Sequence, residues 1–509
     1  MGVSSRSLVR RLRAWDVGAP VARGQTVHTS ISDEKCRMLL AFIRMGGESR
    51  PWGVAWKSGN GATKIRTVGE PRTRAFVDEM LVELAHDLAE HIGHPSFAEV
   101  LHPSEVEPPI DGSLPQIWVP NSSHIDMLHF ISYVYVRRRG DDEIDSALRM
   151  LGRICLHLFL ESRRPGQQLI MDASAALRSA YDFPCEDARQ AHLGLLVAWL
   201  ENRGERDKGL RAALEAERLP IAISLDPDLE RRPLSDLVDA YNESRTAWGK
   251  GDKKIERKIH EVLAPELERR VTLTKSAIEH ISSDERDYNA GLDELIKTTA
   301  DQLYWGLLRA EDAAIASGKE PFAPDPETDR DPRSATHRFF INAAAQDRQR
   351  SALIHHDREL EAEAINEGAA FRGVITTVSD EGTRSKTIPV WTIVDQTPGS
   401  LSLRQHDKVC VVGFPKRTGV VREITPLKDG SLEVTVEITN LKKANDMEWP
   451  HRMAGADQSW LGIAVTLIGT SFAEMTENKA RKALSRESAP GDWMLKVRSS
   501  TTSSLADSE

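Results

Sequence analysis

The sequence predicts a mainly α-helical protein of several domains that carries a small β-barrel near its C-terminal end. Apolar residues recur at three- and four-residue spacing through most of 121–317, which is the period of a helix. Between 371 and 443 the pattern changes to short runs rich in Val, Ile, Thr and aromatic residues, separated by turn residues. Segments rich in proline and charge interrupt the chain and indicate domain boundaries.

The composition is that of an ordinary globular chain. It has 509 residues, of which 40% are hydrophobic and 28% are charged. This length is enough for about two to four domains. No apolar run approaches the ~18–20 residues that cross a bilayer, and the arginines near the start are not followed by the apolar segment of a signal peptide. We therefore expect a cytoplasmic protein with no membrane partner.

Charge and cysteine usage exclude two further classes. The formal net charge of -10 argues against a protein coated with positive charge for nucleic acid, although a local basic face is compatible with it. The four cysteines are far apart and form no CxxC pair, so a structural zinc knuckle is excluded and buried thiols are expected. The sequence predicts no cofactor.

The region up to residue 110 combines strand and helix patterns. The apolar spacing of Ser32 to Met45 predicts a helix. WGVAW and TKIRTV predict a hairpin whose turn is residues 59–61, Gly-Asn-Gly. A second helix is expected to follow Pro71 and to stop near Gly93, before a Pro-rich connector.

The middle of the chain is predicted to be helical, and the segments after it alternate between helix and strand. We expect Ser122 or Ser123 to cap the first middle helix and Asp141 or Asp142 to cap the second. The predicted divisions are a mixed α/β module at 1–110, a helical domain at 111–316, a linker at 317–336, a long connecting helix at 337–368, a small β-barrel at 369–445, a strand (LGIAVTLIG) and a basic helix at 446–498, and a disordered tail at 499–509.

The small barrel depends on five predicted strands. They are FRGVITTV, TIPVWTIV, DKVCVVGF, GVVREI and SLEVTVEIT. In general shape this pattern resembles the oligonucleotide-binding (OB) and SH3-like small barrels, and the resemblance covers only a small part of the chain. Such barrels often bind an extended ligand across one face.

No catalytic motif stands out. GxxxxGK[ST], GxGxxG and GxSxG are absent, which argues against a nucleotide-driven motor, a dinucleotide fold and a nucleophile elbow. Histidines accompany carboxylates in NSSHIDMLH and in residues 355–357. Their spacing does not place them on one helical face, so helix capping and a charged helix surface explain them.

One His-rich segment, AHDLAEHIGH, offers an alternative site. The His86-Asp87 pair resembles the metal-binding pair of HD-type phosphohydrolases, and His91 and His94 are spaced to share a divalent ion. The competing interpretation is a solvated polar helix face. The rival hypothesis for the function is therefore a metal-dependent phosphohydrolase or nuclease that uses these four residues.

The favoured binding site is the cationic and aromatic content of the predicted barrel. Cations contact phosphates and aromatic rings stack on bases, so a single-strand groove requires both. The loop FPKRTG concentrates both. The predicted nucleic-acid-binding residues are Trp391, Arg404, Lys408, Phe414, Lys416, Arg417 and Arg422. The competing interpretation places the rings in the core and makes the cations gatekeepers on strand edges.

The sequence thus favours a non-catalytic accessory protein of a nucleic-acid transaction, in a DNA repair or anti-phage defence assembly. In this hypothesis the helical body docks a separate helicase or nuclease chain, and the barrel contacts nucleic acid. A protein-binding scaffold without nucleic-acid affinity is the remaining alternative.

Overall fold

The computed structural model gives two compact units, Met1–Pro326 and Glu327–Glu509. Their boundary lies inside the predicted linker 317–336. The described residues are 5–23, 29–47, 49–93, 114–140, 142–186, 189–246, 249–283, 292–303, 306–307, 345, 349–350, 353–382, 388–395, 401–439 and 458–469.

The first unit combines helices with a mixed sheet. Its helices are α1 (Ser5–Val17), α2 (Arg74–Gly93), α3 (Ser122–Tyr135), α4 (Glu143–Ser162), α5 (Ala173–Ala180), α6 (Leu193–Glu201), α7 (Arg206–Glu217), α8 (Ser235–Glu243), α9 (Lys253–Ser282) and α10 (Asp293–Leu303). Its strands are β1 (Val21–Ala22), β2 (Arg37–Arg44), β3 (Pro51–Ser58), β4 (Lys64–Thr67), β5 (Gln116–Val119), β6 (Ile170–Asp172) and β7 (Tyr181–Asp182).

Five of these strands form one sheet in the order β4-β3-β2-β5-β6. Strands β2, β3 and β4 are an antiparallel meander, whereas β5 is parallel to β2 and β6 is parallel to β5. Each parallel step passes through helices, α2 before β5 and then α3 and α4 before β6, because a parallel pair needs a long crossover. Strands β1 and β7 form a separate antiparallel pair.

The prediction of a helix at Ser32 to Met45 is wrong, because β2 occupies most of this segment. The six inner residues of β2, Met38 to Ile43, are all buried. Both faces of this central strand are buried, so it reads as a continuous apolar run with no two-residue alternation. Such short runs do not distinguish a strand from a buried helix by period alone.

A single hydrophobic core joins the regions that the sequence divides at residue 110. It includes Leu40 of β2, Leu84 of α2, Trp118 of β5, Leu148 of α4 and Leu267 of α9. Strands from both sides of residue 110 also share the sheet. The mixed α/β region and the helical middle therefore fold as one unit.

Two helix caps test the capping predictions. Asp142 caps α4, as predicted, and its side chain accepts the Asp145 backbone N–H at 2.6 Å. Helix α3 is capped by Asn121 and not by the two serines, because the Asn121 side chain accepts the Ser123 backbone N–H at 3.1 Å. The sequence therefore predicts where α3 begins but not which residue caps it.

The second unit contains a closed antiparallel barrel in the order β10-β11-β12-β9-β8-β13. Its strands are β8 (Ala370–Asp380), β9 (Pro389–Asp395), β10 (Lys408–Val411), β11 (Phe414–Pro426), β12 (Leu432–Ile438) and β13 (Ala464–Gly469). The five predicted strands are all present. The barrel core includes Phe371, Trp391, Val434, Trp460 and Leu467.

The sixth strand closes this barrel. The sequence places LGIAVTLIG in a separate segment after residue 445, but β13 pairs with β10 on one side and with β8 on the other. Without β13 both of these strands would present open edges, which are sites of unwanted pairing. The barrel therefore needs residues beyond the predicted boundary.

The predicted long helix is interrupted at residues 355–357. Helix α11 (Arg358–Asn366) begins after this turn, where the Asp357 side chain accepts the backbone N–H groups of Glu359 and Leu360 at 2.8 and 3.2 Å. Ile354 and Ala364 pack on an outer patch of the barrel. A capping Asp inside a helical pattern is the signal for such a break.

Several predictions lie outside the described residues. They are the linker at 317–336, the basic helix after β13, the tail at 499–509 and most of the Pro-rich connector. In the described part of the chain, every helix is too short or too polar to cross a membrane.

Candidate nucleic-acid interface

Two of the predicted nucleic-acid-binding cations, Arg404 and Lys408, lie on a tight turn that leads into β10. Arg404 and Lys408 are exposed, as is His406 between them. The Asp407 side chain accepts the Arg404 backbone N–H at 2.7 Å, and Asp407 donates its own N–H to the Arg404 carbonyl at 3.1 Å. The turn therefore has its own internal hydrogen bonds.

Strand β11 holds the same turn in place. His406 donates its N–H to the Val421 carbonyl at 2.7 Å, and Val421 donates to the Asp407 carbonyl at 2.9 Å. His406 has a φ of 74°, a left-handed conformation that side chains other than glycine rarely adopt. Residues 404–408, named here the cationic turn, thus present their side chains from a fixed backbone.

Three predicted aromatic and basic residues lie in the barrel core or at its margin. Trp391 is 0% exposed, and its ring lies 4.8 Å from that of Trp460. Phe414 is half-buried and meets Trp460 edge-on at 5.7 Å. The prediction that Trp391 offers its ring to a base does not fit this burial, since Trp391 shares the inward face of β9 with Ile393.

Arg417 belongs to the same cluster. It is 6% exposed, and its guanidinium lies 5.6 Å from the centre of the Trp460 ring. Burial lowers the pKa of Arg417 because removal from water disfavours its charge. A cation held against a buried ring stabilises the barrel and is poorly placed to reach a phosphate.

Arg422 is already neutralised by the protein itself. Its guanidinium pairs with Glu437 at 3.0 Å and with Glu381. These hydrogen bonds to Glu381 and then Glu437 raise the pKa of Arg422. The charge of Arg422 is therefore balanced before any phosphate approaches. The side chain of Lys416 lies outside the described residues.

The outer face of the β9-β12-β11 region is acidic. Glu433 and Glu437 of β12 alternate with the buried Val434 and Val436, and they lie beside Val394 and Val390 of β9. Exposed Glu423 adds a third carboxylate on β11. Phosphates are repelled from this face, so the cationic turn is the part of the described barrel with the better electrostatics for nucleic acid.

The His-rich alternative lies on the last turns of α2. His86 is exposed, whereas Asp87 accepts hydrogen bonds from the Trp56 indole N–H and the Lys64 ammonium, both at 2.6 Å. Hydrogen bonding to Asp87 is the main cause of the raised pKa of Lys64. Asp87 thus already balances one cation, and the Lys64 ammonium would repel a second.

His91 is turned towards β5. Its Nε2 atom lies 3.2 Å from the Gln116 carbonyl oxygen, which can only accept, so this nitrogen carries the hydrogen. His94 lies outside the described residues. Within the described ranges, no three His, Cys, Asp or Glu side chains are grouped to hold a metal ion.

A cavity of about 620 Å³ lies between the β3–β4 hairpin and α2. Lys35, Trp56, Lys64, Asp87 and Glu90 line it. Its cations and carboxylates are mixed, and the Lys64–Asp87 pair is satisfied internally. Cys36 and His91 also line the cavity: burial raises the pKa of the Cys36 thiol, and His91 is hydrogen-bonded to the Gln116 carbonyl.

The crevice at the carboxyl ends of β2 and β5 is the usual ligand site of an open α/β sheet. Here residues 221–225 of the same chain fill it. The Ile223 carbonyl accepts the Arg44 backbone N–H at 2.8 Å, and the Ser123 hydroxyl accepts the Ile223 backbone N–H at 3.2 Å. The chain therefore closes the crevice with its own backbone.

Two buried side chains fix this closing segment. His124 accepts the Phe42 N–H at Nδ1 (3.0 Å) and donates from Nε2 to the Ile221 carbonyl (3.1 Å). Arg270 of α9 is 0% exposed and donates to the carbonyls of Ala222 and Ser224 at 3.0–3.1 Å. Burial lowers the pKa of His124 to about 3 and that of Arg270 to about 10.

Sequence reasoning missed the structural role of these two residues. His124 was attributed to helix-cap chemistry, and Arg270 lies in a charged helix, where arginine is usually solvated. The sequence contains one signal for each residue: a basic side chain occupies a position where the helical pattern otherwise has apolar side chains. His129 also has a structural contact, since it stacks on Phe159 with ring centres 4.0 Å apart.

The four cysteines are free thiols, three of them buried. Burial raises the pKa of Cys155 far above its usual range and also raises that of Cys36. A protonated thiol is a poor nucleophile.

Comparisons with protein-family models, curated proteins and solved structures gave no match to this chain.

Proposed function

We propose that the protein is a non-catalytic accessory of a nucleic-acid transaction, and that its barrel contacts the phosphate backbone through the cationic turn. The observation that carries this proposal is the set of exposed side chains of Arg404, His406 and Lys408 on a turn fixed by Asp407 and Val421. Because the backbone of the turn is already ordered, phosphate binding has to order only the side chains.

The first unit supports a non-catalytic role. Its strand-end crevice is occupied by residues 221–225, and Asp87 of the His-rich segment is bound by Trp56 and Lys64. The reaction itself, in DNA repair or in anti-phage defence, is then the work of a separate helicase or nuclease chain. The first unit docks that partner.

The test is fluorescence anisotropy of labelled single-stranded DNA, duplex DNA and RNA with the full chain, across salt concentrations. Replacing two phosphate contacts, Arg404→Glu with Lys408→Glu, is expected to weaken binding at least about tenfold and to reduce the salt slope by about two. The matched control is Arg372→Glu with Lys428→Glu, which changes the charge equally at two exposed barrel positions away from the turn.

The two double variants separate the outcomes. If both weaken binding equally, the cationic turn is not the interface and only the overall charge matters. If the unmodified chain binds none of the three nucleic acids at low salt, the nucleic-acid function is wrong and the protein is a scaffold for other proteins.

A further inference from the structure

The cavity between the β3–β4 hairpin and α2 has the size of a small-molecule site. Its volume of about 620 Å³ lies within the ~300–1,000 Å³ that such sites occupy. Three of its lining residues are at most 9% exposed, namely Cys36, Trp56 and His91. Two others, Lys35 and Glu90, are exposed. The cavity therefore has a buried inner end and an exposed mouth.

The inner end suits an apolar group of a ligand. The Trp56 indole is held in place because it donates its N–H to Asp87 at 2.6 Å. Burial raises the pKa of the Cys36 thiol, so this side chain is neutral. His91 uses its Nε2 hydrogen on the Gln116 carbonyl at 3.2 Å. An aromatic or aliphatic group can pack beside the indole without removing water from an unpaired charge.

Four charged side chains line the cavity, and two of them are already paired. The Lys64 ammonium lies 2.6 Å from Asp87 and 3.3 Å from Glu83, so its charge is balanced within the protein. The side chains of Lys35 and Glu90 form no hydrogen bond or ion pair with any residue that the structure describes. A ligand can therefore use one cation and one anion at the mouth.

These two charges belong to different sides of the mouth. Lys35 lies on the helical turn before β2, and Gly59 of the hairpin turn packs directly against its backbone. Glu90 lies in the last turn of α2, where the carbonyl end of the helix adds partial negative charge. Asp33 and Glu34, two described residues that precede Lys35, are outside the lining. The hairpin side of the mouth is thus positive and the α2 side is negative.

We infer that this cavity binds a free α-amino acid with a large apolar side chain. Its carboxylate meets Lys35, its ammonium meets Glu90, and its side chain fills the inner end beside Trp56. An α-amino acid carries both charges at one end and its apolar group at the other, which is the arrangement of the cavity itself. A simple acid leaves Glu90 without a partner, and a simple amine leaves Lys35 without one, so each complements the mouth less well.

This inference goes beyond the proposed function and does not rest on it. It concerns the first unit alone, whereas the cationic turn belongs to the barrel. Because the two sites use different residues and different ligands, each can fail without the other.

Ligand-observed NMR titration of the full chain with matched compounds tests the charge requirement. The probe is L-phenylalanine. Hydrocinnamate has the same skeleton without the ammonium, phenethylamine has it without the carboxylate, and glycine has both charges without the ring. We expect a Kd below about 500 µM for L-phenylalanine and affinities at least about tenfold weaker for the other three. A Kd of L-phenylalanine above that value overturns the inference, as does equal affinity for any of the three control compounds.

Variants of the two exposed charges assign each end of the ligand. Lys35→Gln is expected to weaken L-phenylalanine and hydrocinnamate at least about fivefold and to leave phenethylamine unchanged. Glu90→Gln is expected to weaken L-phenylalanine and phenethylamine by a similar factor and to leave hydrocinnamate unchanged. A general disturbance of the cavity would weaken all three ligands in both variants, and that outcome overturns the charge assignment.

Two control variants remove the same charges outside the lining. Lys57 follows Trp56 on β3 and therefore lies on the opposite face of the sheet, and Glu79 lies about three turns before Glu90 on α2. Lys57→Gln and Glu79→Gln are expected to bind L-phenylalanine as the unmodified chain does. If they weaken binding as much as Lys35→Gln and Glu90→Gln do, the ligand is not bound in this cavity. Nucleic-acid anisotropy of Glu90→Gln is expected to match the unmodified chain, so its loss of L-phenylalanine leaves the cationic turn untouched.

Discussion

Arg270 and His124 of the first unit and the cationic turn of the barrel use basic side chains in opposite ways. In the first unit, Arg270 and His124 are buried, and their donors and acceptors are matched by the backbone of β2 and of residues 221–225. In the barrel, Arg404 and Lys408 stand on a turn whose backbone is satisfied while their side chains remain exposed. A basic side chain that is exposed on a fixed backbone is therefore a better candidate for binding than one that is buried against backbone carbonyls.

The largest effect that this comparison predicts is at Arg270. Replacing Arg270 by Met leaves the carbonyls of Ala222 and Ser224 buried without donors, and it is expected to reduce the free energy of unfolding by about 3–5 kcal/mol. Chemical denaturation gives the total loss, and hydrogen exchange of peptides from β2 and β3 locates it in the first unit.

The neighbouring Arg269 is the control. It is partly exposed and reaches the Pro220 carbonyl at 2.6 Å from the helix surface, so Arg269→Met is expected to cost only about 1 kcal/mol. Equal losses for the two variants would show that residues 221–225 are not fixed by the buried guanidinium, and the contrast between the units would fail.

His124 is expected to have the second largest effect. His124→Phe removes the partners of the Phe42 N–H and the Ile221 carbonyl and is expected to cost about 2–4 kcal/mol at pH 7. Burial lowers the pKa of His124 from 6.5 to about 3, so the unfolded chain takes up the proton first. The stability that neutral His124 provides is therefore complete above pH 6.5 and is lost progressively as the pH falls towards 3.

Urea unfolding at a series of pH values checks both parts. The unmodified protein is expected to lose stability more steeply between pH 6.5 and 4 than His124→Phe does. Identical slopes would show that His124 does not titrate on unfolding, which would contradict its burial between β2 and residues 221–225.

The barrel offers a smaller version of the same experiment at His355. Its Nδ1 accepts the Gly413 N–H at 3.0 Å, and burial lowers its pKa from 6.5 to about 4. His355→Phe is expected to cost about 1–2 kcal/mol at pH 7, because the Gly413 N–H loses its acceptor but is exposed, so water can replace it. Acid is expected to destabilise this unit from pH 6.5 down to about 4.

Unit-resolved hydrogen exchange separates the two histidines. His355→Phe is expected to speed exchange in β10 and β11 and to leave β2 and β3 unchanged. If exchange in β2 responds as strongly, the two units do not unfold independently, and stability has to be compared for the chain as a whole.

The strands of the barrel follow from the sequence because their physical signals are local. Alternating residues and turns predict β8, β9, β10, β11 and β12, and a capping Asp predicts the start of α4. The sequence does not predict strand β2, because the apolar pattern of a strand buried on both faces does not differ from that of a buried helix. The closure by β13 depends on pairing between distant residues, which no local pattern encodes.

The sequence predicts the candidate site only in part, because some of its contacts join residues that are distant in the chain. Arg404 lies in a polar turn and Lys408 begins the strand after it, and their exposure is expected from that position. Trp391 is inward because it alternates with Thr392 and Val394, a signal that the sequence does contain. The sequence does not predict the ion pairs of Arg422, because the fold of β8 and β12 brings Glu381 and Glu437 to it.

The smallest expected effect is at Arg422, and it tests the comparison within the barrel itself. Because Glu437 and Glu381 already balance its charge, Arg422→Ala is expected to change the salt slope of nucleic-acid binding by clearly less than one unit, whereas Arg404→Ala is expected to reduce it by about one. Its effect on unfolding is also expected to be small, at most about 1 kcal/mol, since exposed ion pairs contribute little. Anisotropy titrations of the two single variants measure this difference directly. A larger loss for Arg422→Ala than for Arg404→Ala would mean that phosphate displaces the two carboxylates, and the interface would then extend from the cationic turn onto the outer face of β11.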